Sequence, residues 1–127
     1  MKIWLDDVRN APDDSWVIAR SVNDAKKMIW FCYLARNMPW CSPIEMISLD
    51  HDMGDYTKDG GDGIKLLEWM VERGFIYPVQ LHTMNAVGRE NMQRIIDKHW
   101  KSGFRVPEYP PVKERKYRRR RYSHDMA

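Results

Sequence analysis

The sequence predicts an α/β domain, a three-layer sandwich on a mostly parallel sheet of four or five strands. Three observations predict it. Short apolar runs rich in Ile, Val and Leu alternate with longer segments whose apolar residues recur every three or four positions, the pattern of strands linked by covering helices. The apolar runs stop abruptly at polar residues, as strands do at the edge of a parallel sheet: Asp6-Asp7, Asp50-His51-Asp52 and His82-Thr83. A chain of 127 residues, 43% hydrophobic and with six Trp, is long enough to bury one core without disulfide staples.

Residues 2–5 read as a buried strand, and 10–15, with Pro12 among polar turn formers, as a loop. Residues 16–20 form a second strand. Ser21-Val22-Asn23-Asp24 has the spacing of a capping box and opens a helix to about residue 37, with Ala25, Met28, Ile29 and Cys32 on one face. Pro39 and Pro43 end it, and 44–49 is the third strand. Residues 53–63, dense in Gly and Asp, miss the calcium-loop spacing and read as a mobile lid. A helix over 64–73 points Ile64, Leu67 and Val71 inward and closes on Gly74. Residues 79–83 are the fourth strand. A helix over 87–101 buries Met92, Ile95, Ile96 and Trp100, with His99 at the core edge. Residues 104–106 suggest an edge strand. Trp30, Trp40, Trp69 and Trp100 are expected to pack rather than to line a ligand cage. The domain is expected over 1–106, with a flexible tail over 107–127.

The net charge of +3 hides two regions. Residues 1–112 carry 14 Lys/Arg against 16 Asp/Glu, and 113–127 carry 7 against 2, so a mildly acidic domain precedes a basic tail. Lys113 to Tyr122 mixes cations with two tyrosines, which suits contact with nucleic-acid phosphates or a solubilising role equally. No apolar run is long enough for a bilayer, no secretory leader is evident, and the cytoplasm is expected. Cys32 and Cys41 fit no metal spacing and read as free thiols.

Right-handed crossovers bring the strand ends to one edge, so Asp6, Asp7 and Asp50, joined by Asp52, should converge there. Singly, each would more simply cap a loop. Together, without a matching cationic side chain, they raise one another's pKa unless a cation lies between them, and hard oxygen ligands suit Mg²⁺ or Mn²⁺. His82 and His51 are candidates for proton transfer, His82 ranked first because the sheet should fix it. Arg9, and Asn85 and Gly88 at the start of the last helix with Arg89, are candidates to hold phosphate oxygens; Gly88 would let a ligand approach the backbone.

Residues 3–9 (Ile-Trp-Leu-Asp-Asp-Val-Arg), 47–54 (Ile-Ser-Leu-Asp-His-Asp-Met-Gly) and 82–92 (His-Thr-Met-Asn-Ala-Val-Gly-Arg-Glu-Asn-Met) together resemble the cyclic-phosphate-processing receiver-like domain family, over about residues 2–105. The resemblance implies a receiver-like, flavodoxin-like fold and metal-dependent processing of cyclic phosphates on nucleotides or RNA ends. A receiver has an acidic pair after strand one, an acceptor Asp after strand three and a Ser/Thr after strand four; Asp6, Asp7, Asp50 and Thr83 stand there. Thr83 and Asn91 join the candidate phosphate-binding set. The chain departs from that pattern too. The loop 10–15 replaces the first helix, only Arg105 stands where a Lys follows the last strand, and His51, His82 and Asn85 are additional polar groups.

The leading expectation is therefore a phosphoesterase acting on a cyclic nucleotide or cyclic-phosphate RNA end. Asp6, Asp7, Asp50 and Asp52 would hold the cation, and His82, His51 and Asp50 would be catalytic. A receiver phosphorylated on Asp50, or a silent module that binds the same ligands, would use the same residues differently.

Overall fold

The computed structural model describes residues 1–100. The strands are β1 (Lys2–Leu5), β2 (Trp16–Ala19), β3 (Met46–Leu49) and β4 (Val79–Leu81), and the helices are α1 (Val22–Leu34), α2 (Gly63–Arg73) and α3 (Ala86–His99). All pairings are parallel, in the order β2-β1-β3-β4, with Leu5 opposite Ala19 and Leu49, and Leu49 opposite Leu81. This is the receiver-like α/β architecture. No helix separates β1 from β2, as the short loop requires. The suggested edge strand over 104–106, the last predicted residue of α3 and the tail lie outside the described residues.

The chain steps from β2 past β1 to β3, then on to β4, always in one direction. Right-handed crossovers therefore set α1 and α2 on the same face, and α3 packs beside α2. The alternate strand residues Ile3, Leu5, Ile47, Leu49, Val79 and Leu81 point into that helical layer. There they meet Val22, Ala25 and Ile29 of α1, Leu66, Leu67 and Met70 of α2, and Met92 and Ile96 of α3. Leu66, Leu67 and Met70 are fully buried in α2, so Leu67 points inward as expected, while Ile64 and Val71, expected inward too, are only partly buried.

The local signals act as their chemistry dictates. Ser21 Oγ accepts a hydrogen bond from Asp24 N and caps α1. Gly74 ends α2 at φ 75°, in the left-handed region that favours glycine. Asn85 caps α3 through Gly88 N.

Four expectations change. Helix α1 stops at Leu34, because residues 35–38 tighten into turns, with Arg36 N bonded to Tyr33 O and Met38 N to Ala35 O, ahead of Pro39. Residues 53–63 are tied down. Met53 is buried and its amide donates to Asp62; Asp59 takes hydrogen bonds from Ser21 and Asn23 side chains, and its carbonyl takes one from Asn23 N. A free lid would have none of these bonds. His99 is exposed, because the last turn of α3 turns in through Trp100 instead, whose Nε1 donates to Tyr77 O. Trp30 and Trp40 are exposed rather than packed inside.

Gly63 shows how tightly α2 meets β3. A Cβ there would lie 1.8 Å from the Asp50 carbonyl oxygen, and Gly63 N donates to His51 O. Gly63→Ala must therefore push the end of β3 aside. The expected loss is about 1–3 kcal/mol in denaturant melts, in the range of other overpacked sites. A variant as stable as wild type would show that the two segments are not in contact.

Candidate functional site

Three backbone hydrogen bonds carry the ladder one residue past the strands: Asp6 N to Ala19 O, Asp50 N to Leu5 O and His82 N to Leu49 O. Side chains alternate along a strand, so Asp6, Asp50 and His82 share the face of Trp4, Ser48 and Gln80, opposite the helices. The site is thus assembled by register at the C-terminal edge of the sheet.

Asp6, Asp7 and Asp50 are all buried, and each offers a carboxylate oxygen within 4.8 Å of the others. Asp6 is the most firmly held. Its Oδ1 accepts from Val8 N and Arg9 N, closing the turn after β1, and its Oδ2 accepts from His82 Nε2 at 3.0 Å. Burial pushes this carboxyl up, but the hydrogen bond and charge of His82, with the two backbone amides, outweigh that and hold it below the usual range. Asp50 goes the other way. Burial first, then the charge of Asp6, raise it to about 7, against the opposing pull of Arg9 and the His51 amide. The pair is thus split, Asp6 favouring its ionised form and Asp50 holding its proton well above the usual carboxylate range.

Arg9 was expected to reach out as a phosphate clamp. Instead it lies buried in the cluster, Nε 3.5 Å from Asp6 Oδ2, with Nη1 donating to His82 O. The carboxylates thus do have a cationic side chain among them, contrary to the sequence expectation. Arg9, joined by His82 when that ring is protonated, offsets only part of the charge of three ionised carboxylates, and the negative charge left over is what a cation would neutralise. Hard oxygen donors in a buried cluster fit Mg²⁺ or Mn²⁺.

The two histidines have unlike surroundings. His82 is 1% exposed and stacks on Trp4, ring centroids 3.8 Å apart. Its Nδ1 shares a 2.7 Å hydrogen bond with Ser48 Oγ, which in turn accepts from Gln80 Nε2. A row Gln80–Ser48–His82–Asp6 therefore runs across the strands. His51 has 14% of its side chain exposed, and its Nδ1 is 2.9 Å from Asp52 Oδ1. The sequence ranked His82 first, but access to solvent follows the reverse order. The sheet does fix His82, and the same packing encloses it.

Gly88 is close-packed, but against His51 rather than a ligand: a Cβ there would lie 2.5 Å from His51 Cγ. Its amide serves the Asn85 cap. Asn85 is occupied on both sides, its Oδ1 by that cap and its Nδ2 by the Asp52 carboxylate. Asp52, expected among the cation ligands, is set apart from the trio. It groups with His51 and Asp62 in a second set of potential ligand atoms. Thr83 Oγ1 accepts from Asn85 N, Arg89 Nη1 donates to Leu81 O, and Asn91 accepts from Arg94 on the outside of α3.

Sequence reasoning missed Ser48, Gln80 and Asp62. The first two were visible as lone polar residues inside apolar strands, at positions that the register later pairs. Asp62 gave no signal beyond its place in an Asp-rich loop.

The match to known families covers the whole of this site. Residues 1–98 match the family model described as Cyclic-phosphate processing Receiver domain. The chain belongs to that family. No curated protein and no solved structure matches it. In this cyclic-phosphate processing receiver domain the acidic pair after β1, the Asp after β3, His51 and the buried His82 row all stand at one sheet edge. None of its described helices is long and apolar enough to cross a membrane.

Proposed function

We propose that this domain is a divalent-metal-dependent phosphoesterase that opens a cyclic phosphate on a nucleotide or an RNA end. The observation that carries the reading is the buried Asp6-Asp7-Asp50 cluster, in which burial and neighbouring charge raise Asp50 to about 7. Such a cluster is unfavourable as it stands and is relieved by a cation. Asp6, Asp7 and Asp50 hold it, Asp6 pre-aligned by His82 and two amides. A bound divalent cation would supply charge neutralisation and polarise a phosphoryl oxygen. Water adds to the phosphorus as one ring P–O bond breaks, and His51 takes a proton from that water and returns one to the departing ribose oxygen. Asp52 engages Nδ1, so Nε2 is the ring nitrogen assigned to that transfer. Thr83, through its hydroxyl proton, and Arg89, through its remaining N–H groups, hold phosphate oxygens. His82 acts on Asp6 and not on the substrate.

The test is incubation with Mg²⁺ or Mn²⁺ and a panel of 2′,3′- and 3′,5′-cyclic nucleotides and cyclic-phosphate-ended RNAs, with products identified by mass. A linear phosphate product that disappears in chelator is the expected result. Ligands that bind but return intact would make the domain a binding module. A stable aspartyl-phosphate on Asp50 after treatment with a small phosphodonor would make it a signalling receiver.

Metal binding has its own readout. Millimolar Mg²⁺ or Mn²⁺ should raise the melting temperature, because a ligand at 100 times its Kd stabilises by about 2.7 kcal/mol. Unchanged melting in both metals would remove the cation from the proposal.

A further inference from the structure

Away from the acidic site, α1 carries an outward stripe that the proposed chemistry does not use. Lys27, Trp30, Phe31 and Leu34 are spaced i, i+3, i+4 and i+7, opposite the buried Ala25 and Ile29. All four are exposed, Phe31 at 58% and Leu34 at 62%. The chain that follows α1 returns Trp40, 61% exposed, to stack on Phe31 with ring centroids 6.1 Å apart. Trp30 stacks on Tyr33, and two guanidiniums cap these rings: Arg73 lies 5.3 Å from the Trp30 centroid and Arg36 4.1 Å from that of Tyr33. An apolar patch of this kind on a small domain marks an interaction site.

Charge decides what fits it. From residue 25 to residue 44 the chain has Lys26, Lys27 and Arg36 and no Asp or Glu, although residues 1–112 as a whole are net acidic. Arg73 adds a fourth cation from α2. A surface of flat, exposed rings with Arg36 and Arg73 over them, and with Lys27 facing the Asp59 carboxylate as its acidic neighbour, carries a cationic excess that complements a chain of stacked bases and phosphates. The basic residues of 113–127 carry the wrong sign to cover it, and a second copy docked face to face would bring like charges together.

We infer that the face formed by Phe31 of α1 and Trp40 binds single-stranded nucleic acid, bases stacking on the Phe31–Trp40 pair and phosphates meeting Lys27, Arg36 and Arg73. Stacking on an aromatic side chain is sequence-tolerant and does not need the 2′-hydroxyl, so RNA and DNA both bind. The inference is independent of the acidic site. It stands if the domain proves to have no phosphoesterase activity.

The experiment uses the full chain and fluorescent mixed-sequence RNA and DNA oligonucleotides with 3′-hydroxyl ends. Chelator is present throughout, so that the acidic site plays no part. Affinity is measured across a salt series, so that contacts made by the basic residues of 113–127, present in every variant, cancel in the comparison. Phe31→Ala and Trp40→Ala should each weaken binding by roughly 5- to 150-fold, the range for loss of one stacked base. Their melting should hardly change, because both side chains are exposed. Arg36→Ala should lower the dependence of affinity on salt. Wild-type affinity in both aromatic variants overturns the inference. So does a wild-type dimer that Trp40→Ala dissolves while oligonucleotide affinity stays the same, which would assign the face to a second copy.

Discussion

Asp50→Asn should make the metal-free protein more stable, and increasingly so as pH rises. The folded-state carboxyl of Asp50 is raised to about 7, from an ordinary value of 3.8. A group raised in the folded state holds its proton more tightly there. Its stabilising contribution is complete below the unfolded value and is lost as pH climbs through the folded one. Above about pH 7, wild type must bury a second carboxylate charge beside Asp6, whereas the amide stays neutral. The two proteins should melt alike near pH 4 and diverge up to pH 8, with Asp50→Asn ahead by on the order of 4 kcal/mol if the whole shift is expressed. Saturating Mg²⁺ should reverse the order, because the amide gives up the charge that binds the cation. Asp6 titrates in the opposite sense, being held low by His82, but it is common to both proteins and cancels in the comparison. Parallel melting-versus-pH curves for the two proteins would mean that Asp50 is not the strained carboxylate of the cluster.

The strands and the edge at which they end were legible because that information is local. Apolar runs, cap residues and Gly74 each act within a few positions. Asp6, Asp7 and Asp50 were placed by the same logic, since any residue just past a parallel strand must emerge at that edge. Which side chain faces inward was not legible, because it depends on how far the ladder continues. The hydrogen bond from His82 N to Leu49 O extends the pleat by one residue and turns His82 under Trp4. The partner of Gly88 is His51, 37 positions earlier, so no local pattern could distinguish a glycine that admits a ligand from one that admits an imidazole. The exposed tryptophans were different: the helical period that puts Ala25 and Ile29 inside also puts Trp30 and Phe31 outside. Aromatic content alone concealed that signal.

His51→Ala and His82→Ala should fail in different ways. Losing the pair with exposed Asp52 should cost at most about 1 kcal/mol, and losing the ring's packing on Gly88 somewhat more, so His51→Ala should stay folded. If His51 moves the proton, turnover of the best cyclic substrate should fall by roughly 10²–10⁴-fold while the protein stays folded and still binds metal. His82→Ala removes the ring stacked on Trp4 and the donor to Asp6 Oδ2, leaving a buried carboxylate short of a partner. Breaking one side of a buried ion pair typically costs about 3–5 kcal/mol, so this variant should show its defect first as a lower melting temperature and weaker metal affinity. His82→Gln, whose amide can still donate, should recover part of both. Ser48→Ala should weaken metal binding in the same direction but less, because it loosens the ring without removing it. The deciding measurement is turnover per metal-loaded molecule, taken for each variant beside its melting curve. If loaded His82→Ala is the slower enzyme and His51→Ala turns over as wild type does, the proton passes through the buried ring and the roles assigned to the two histidines are reversed.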